Sequence, residues 1–228
     1  SDYVGTEGND DFASAKSISI IDRITHGNFV TTLGYRHEDV DYWESTDGTP
    51  GTPQENSQSM IAASTVYDMG NGQSAFAAYS QGYMPTGVSS QEPEESDNYE
   101  IGYRASTMNT YMEIIGFHID YDRLQETCNI AAGCADSSNA AKNAGEAHVT
   151  GLEFIYRVNN LFAAPAMKGA DNVGSGIRYP LVISATLQEA EHDVTTGSSI
   201  ADGARIAYTP EEIYYVSFGA ETNSWDWQ

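Results

Sequence analysis

The stretch DNYEIGYRASTMNTYMEIIGFHIDYDRL, residues 97–124, decides the fold. Tyr99, Ile101, Tyr103 and Ala105 alternate with Glu100, Gly102 and Arg104, a period of two that gives an extended strand two different faces. A clipped turn at 106–109 leads into a second alternation, with Phe117, Ile119 and Tyr121 assigned to the apolar side and Gly116, His118 and Asp120 to the polar side. Beyond a long loop the pattern resumes as Leu152, Phe154 and Tyr156 against Glu153 and Arg157. The polar face carries ionisable groups and the apolar face carries aromatics near its ends. Such strands suit a wall with lipid on one side and water on the other.

Working outward, nine candidate strands emerge at 16–24, 29–39, 59–67, 74–83, 97–105, 110–122, 147–158, 180–191 and 211–221. Short turns such as His26–Gly27–Asn28 and the Asn-Gly turn of DMGNGQ alternate with long loops rich in Gly, Pro, Ser and acids. The 159–179 connection breaks that rule by its length and reads as an insertion. Strands of this length match a tilted crossing of a ~30 Å hydrocarbon layer. The expectation is an all-β chain, an antiparallel meander of about nine transmembrane strands. Glu113 conflicts with it: sharing parity with Ile115 and Phe117, it would face lipid at a cost reaching ~2 kcal/mol at mid-depth. A bulge that turns it inward is the alternative.

Composition limits the function classes. Only 40% of the 228 residues are hydrophobic and no long apolar run exists, which excludes a helical membrane span but not a barrel. Fifteen Tyr against seven Phe and three Trp is a set suited to the lipid–headgroup boundary. The net charge of −23, from 33 acids and 10 bases, argues against nucleic acid as a partner. It leaves two readings open, plain solubility or capture of cations and basic ligands by acidic loops. Cys128 and Cys134 share one long loop and suit a small disulfide worth ~2–3 kcal/mol in an oxidising compartment; a metal pair lacks partner ligands at zinc spacing. Both chain ends read as internal to something longer.

Several stretches resemble TonB-dependent outer-membrane receptors. GNFVTTLGYRHEDVDY (27–42) resembles their "Gly-Asn-Phe … Gly-x-Arg-x-Glu" strand, and SAFAAYSQGYMPTG (74–87) is similar to "Tyr-Ala-x-Tyr-Ser-Gln-Gly-Phe-x-Pro", with Tyr83 where Phe is common. EPEESDNYEIGYR (92–104), FHIDYDRL (117–124), NAGEAHVTGLEFIYR (143–157) and IAYTPEEIYYVSFGAET (206–222) follow in the family's order, with Glu92 where Lys is usual and Ala207 where Pro is usual. The last motif and the cysteine loop lean towards the ferric-citrate type. The resemblance implies a 22-stranded barrel with a plugged lumen. Residues 1–228 would supply roughly strands ten to eighteen, without the plug or the closing strands. The implied function is TonB-energised uptake of an iron chelate (ferric citrate or another siderophore) across the outer membrane of a Gram-negative bacterium. The implied partners are the chelate, the TonB complex reached through the plug, and outer-membrane lipid.

In that frame the long loops face outside, and lumen-facing residues beneath them would grip a ligand. Arg36, His37, Gln81, Tyr83 and Arg123 stand at such strand tops, and an anionic chelate would make Arg36 and Arg123 the apt pair. Against this, Arg36 could simply pair with a wall acid, and Tyr83 and Tyr121 could be interface-belt residues. No HExxH, GxSxG, P-loop, GxGxxG or CxxC occurs, so no enzyme activity, catalytic residue, cofactor or metal site is expected. The rival readings are a passive porin-type barrel and a secreted β-sandwich, which would bury its apolar faces against each other.

Overall fold

The structure is a computed structural model that describes residues 10–46, 49–50, 52–86, 92–127, 141–143, 145–162, 177–193, 202–222 and 226–227. Nine strands run in chain order: β1 Asp10–His26, β2 Phe29–Thr46, β3 Gln54–Gly70, β4 Gln73–Met84, β5 Glu94–Ser106, β6 Thr110–Asp122, β7 Ala147–Val158, β8 Leu181–His192 and β9 Glu212–Phe218. Each pairs antiparallel with its sequence neighbours, so the sheet is an unbroken meander. Among the described residues there is no helix, and so none long and apolar enough to cross a membrane.

Residues directly opposite one another in an antiparallel ladder share a face, so the registers fix both faces of the whole sheet. One face carries Leu33 and Tyr35 of β2, Ile61 of β3, Tyr99 and Ile101 of β5, Ile114 of β6, and Leu152 and Phe154 of β7. It continues through Leu187 to Tyr214, Val216 and Phe218. All of these large apolar side chains are exposed. Aromatic rings gather at its two margins. Phe29 and Tyr67 meet at 4.7 Å on the turn side, and Tyr79, Tyr99, His118 and His148 succeed one another at 5.2, 6.3 and 6.0 Å on the loop side. From Phe29 to Tyr35, or from Tyr156 to His148, is ~20–27 Å of extended chain before tilt. An outer-membrane wall needs an apolar band of about 25 Å between aromatic girdles. Asp22, opposite Leu33 on the edge strand β1, interrupts that band.

The registers also correct the assignment of β6. Ile101 faces Gly116 and Tyr99 faces His118, whereas Glu100 faces Phe117 and Arg104 faces Glu113. Phe117, Ile119 and Tyr121 therefore lie on the polar face, and Gly116, His118 and Asp120 lie on the apolar one. Glu113 lies on the polar face beside Arg104 and pays no lipid penalty, without any bulge in β6. Aromatics are tolerated there because glycines make room: the Phe76 ring lies where a Cβ on Gly102 would be, and the Phe117 ring does the same at Gly151.

Strand ends differ from expectation in two places. Within the expected 42–58 loop, residues 42–46 and 54–58 are strand, because β2 and β3 stay paired out to Tyr42 opposite Gln54. Beyond the lipid band a paired strand has no need of apolar alternation, so polar sequence there reads as loop. On the turn side, Ile177–Arg178 pairs with Ala220–Thr222, which in turn pairs with Asp226–Trp227, a separate small three-stranded sheet beyond β9. Leu161 N–H to the Tyr179 carbonyl, 2.9 Å, closes the base of the 159–179 connection.

Candidate functional site

The polar face grades along the strands. On the turn side, Arg104 is ion-paired to Glu113, whose Oε2 also accepts the Tyr111 hydroxyl at 3.0 Å. The Arg104 guanidinium sits 4.3 Å above the Phe76 ring, and Arg157 sits 5.9 Å above Tyr111. Ions, hydrogen bonds and rings here satisfy one another, as a wet but ordered wall requires. On the loop side of the same face lies a cavity of about 640 Å³ reaching from β4 to β8, lined by Glu100, Ile115, Phe117, Tyr121, Glu153 and Gln188 among others. The 206–209 segment leans onto it, held as Ile206 N–H donates to the Ala190 carbonyl at 2.9 Å and Gln188 Nε2 to the Pro210 carbonyl at 2.8 Å.

The five sequence-chosen side chains do not converge on that cavity. Arg36 is on the polar face but spans to Glu38, with Nη2–Oε2 2.8 Å and Nε–Oε2 3.0 Å. His37 is on the apolar-face side of β2, one step above the girdle, with Nδ1 3.0 Å from Ser59 Oγ and Nε2 3.4 Å from Asp39. Gln81 shares that face. Its Oε1 accepts the Ile61 N–H at 3.2 Å, which replaces a ladder bond where β3 and β4 part above Ala62 and Ser80. The Tyr83 hydroxyl is buried and without a hydrogen-bond partner among the described residues. Arg123, with φ of 58°, ties the start of β5 to the end of β6: Nη2 lies 2.6 Å from Glu95, Nε donates to the Pro93 carbonyl at 2.8 Å, and Glu92 and Asp122 complete its shell. Cys128 and Cys134 lie outside the described residues. Tyr121, read as a belt residue, lines the cavity instead.

Glu100 and Glu153 are the functional candidates that the sequence reading missed. Both line the cavity, both are exposed, and neither has a hydrogen bond or ion pair to another described residue. The signal was available in Arg104 and Glu113, opposite charges whose parity on either side of the short turn puts them on one face. That constraint would have set the parity of β6 and brought Phe117 alongside Glu100.

The family model described as TonB dependent receptor-like, beta-barrel, matches residues 2–228. Among solved structures, the ferric yersiniabactin uptake receptor FyuA from Yersinia pestis superposes over 96% of this chain with a TM-score of 0.63 and 18% identity. The ferric citrate transporter FecA in its unliganded form does so over 93% with a TM-score of 0.65 and 18% identity. The siderophore receptor PiuA from Acinetobacter baumannii does so over 92% with a TM-score of 0.68 and 13% identity. The chain spans about a third of the length of these structures, 33%, 30% and 31% respectively. Comparison with proteins of curated function gave no match.

Proposed function

The chain belongs to the TonB-dependent receptor-like β-barrel family, and from that premise we propose that it forms part of the wall of an outer-membrane receptor for a ferric chelate. In this reading residues 1–228 supply roughly strands ten to eighteen of a 22-stranded barrel. The plug that would meet the TonB complex and the remaining strands come from the rest of the full-length receptor. The observation that supports it is the two-sided wall itself, with an aromatic-girdled apolar face towards lipid and an ion-paired polar face towards the lumen. Transport through such a wall makes and breaks no covalent bond; the wall supplies binding and a path. The ligand compartment is the cavity at the loop end of the lumenal face. Arg36 and Arg123 stand towards the loop side of the same wall without lining the cavity, their charge already met by Glu38 and by Glu92, Glu95 and Asp122.

The test is iron-limited uptake of radiolabelled ferric chelates by cells carrying or lacking the full-length gene, with and without a working TonB complex. Receptor-dependent uptake that ceases without TonB is the expected result. Uptake that persists without TonB would mean a passive pore, and no receptor-dependent iron uptake would sink the proposal.

A further inference from the structure

The charge of the lumenal face runs opposite to what an anionic chelate needs. Three of its cations, Arg23, Arg104 and Arg157, stand towards the turn side of β1, β5 and β7, and Arg36 of β2, nearer the loop side, is paired with Glu38. Towards the loop side the cavity wall presents Glu94, Glu100 and Glu153, and no Lys or Arg among the described residues lines it. Glu94 is engaged, accepting the Gln125 N–H at 2.8 Å. Glu100 and Glu153 remain as two carboxylates with no partner among the described residues, flanking Phe117 and Ile115 on the strands either side of β6. The Arg groups of the loop side are already met by acids: Arg36 by Glu38, Arg123 by Glu92, Glu95 and Asp122, and Arg205, next in sequence to the lining Ile206, by Glu211. A net charge of −23 adds a field that concentrates cations and repels anions at the entrance.

We propose that this compartment selects a positively charged ferric chelate, with a pendant ammonium group held by Glu100 and Glu153 and its apolar skeleton against Phe117, Ile115 and Tyr121. The inference rests on the reading of the chain as part of a ferric-chelate receptor, and gives that ligand a charge. Carboxylate to ammonium is a charge-assisted hydrogen bond, and the aromatic rings beside it favour the same sign of charge. An anionic complex would instead meet two uncompensated carboxylates and no free cation among the described lining residues.

Three probes separate the charge from the receptor assignment in cells carrying the full-length receptor: the ferric complex of a linear trihydroxamate with a free terminal amine, the same complex N-acetylated, and ferric citrate. Uptake is expected to fall in that order, with about tenfold lost on acetylation, the factor carried by one charge-assisted contact. The double variant Glu100→Gln, Glu153→Gln, checked for its level in the outer membrane, is expected to bring uptake of the amine complex down to that of the acetylated one, abolishing the difference between the two. Ferric citrate taken up as well as the amine complex, or a double variant that handles both hydroxamates as the parent does, would overturn the charge selection alone. Failure of all three to enter above receptor-free cells would overturn the ferric-chelate reading with it.

Discussion

Arg104 has its position fixed from three directions: the Glu113 carboxylate beside it, the Phe76 ring under its guanidinium, and a register that sets both charges on one face. Glu113 is the more enclosed partner, its side chain 16% exposed against 43% for Arg104, so its charge depends more on being matched. Arg104→Ala would leave that carboxylate with the Tyr111 hydroxyl alone. Solvent reaches the Arg, so the expected loss is about 1–2 kcal/mol rather than the larger cost of breaking a fully buried pair. The charge-swapped Arg104→Glu, Glu113→Arg receptor should recover part of that loss. The unfolding temperature of the full-length barrel in detergent, read by its heat-modifiable gel mobility, checks both. A swap no better than either single reversal would show that the two residues do not act as a pair.

The hairpins test how far turn chemistry sets the sheet. Gly72 has φ of +77°, and a Cβ there would run into the Ser106 carbonyl of the adjoining strand end, whose N–H is bonded to the Gly72 carbonyl at 2.8 Å. Gly27 also has positive φ, +55°, but a Cβ there meets nothing within 4 Å. Gly27→Ala should therefore cost only the left-handed conformation, about 1 kcal/mol, and Gly72→Ala that plus a backbone displacement, about 2–3 kcal/mol. Equal shifts in unfolding temperature for the two would mean that the β4–β5 contact gives way freely. The Asn-Gly signal of this turn was legible in the sequence because glycine chemistry is local. The ends of β2 and β3 were not, since Glu55, Asn56 and their polar neighbours pair as strand only because a partner strand already stands beside them.

At the scale of the whole wall, period-two alternation was enough to find nine strands and an apolar side, but not to choose the face of β6. Gly116, His118 and Phe117 invert the usual sign there: a small residue and a histidine point to the apolar face while a phenylalanine lies over Gly151 on the polar one. Of the ligand candidates, His37 and Gln81 share the apolar-face parity of β2 and β4, whereas Glu100 and Glu153 lie on the polar face. Face assignment can be tested with one pair of adjacent residues. Ala185 stands opposite Phe154 and Tyr214 on the apolar face, and Thr186 opposite Glu153 on the polar face. Ala185→Arg places a guanidinium in hydrocarbon, at about 2–4 kcal/mol near mid-depth, whereas Thr186→Arg places the same group in water beside a free carboxylate. The expected outcome is a sharp fall in folded full-length receptor in the outer membrane for Ala185→Arg and near-normal levels for Thr186→Arg, read by heat-modifiable mobility of membrane fractions. The reverse order would mean that the lumenal and lipid faces are exchanged along β8, and the Glu153 side of the cavity would then face lipid.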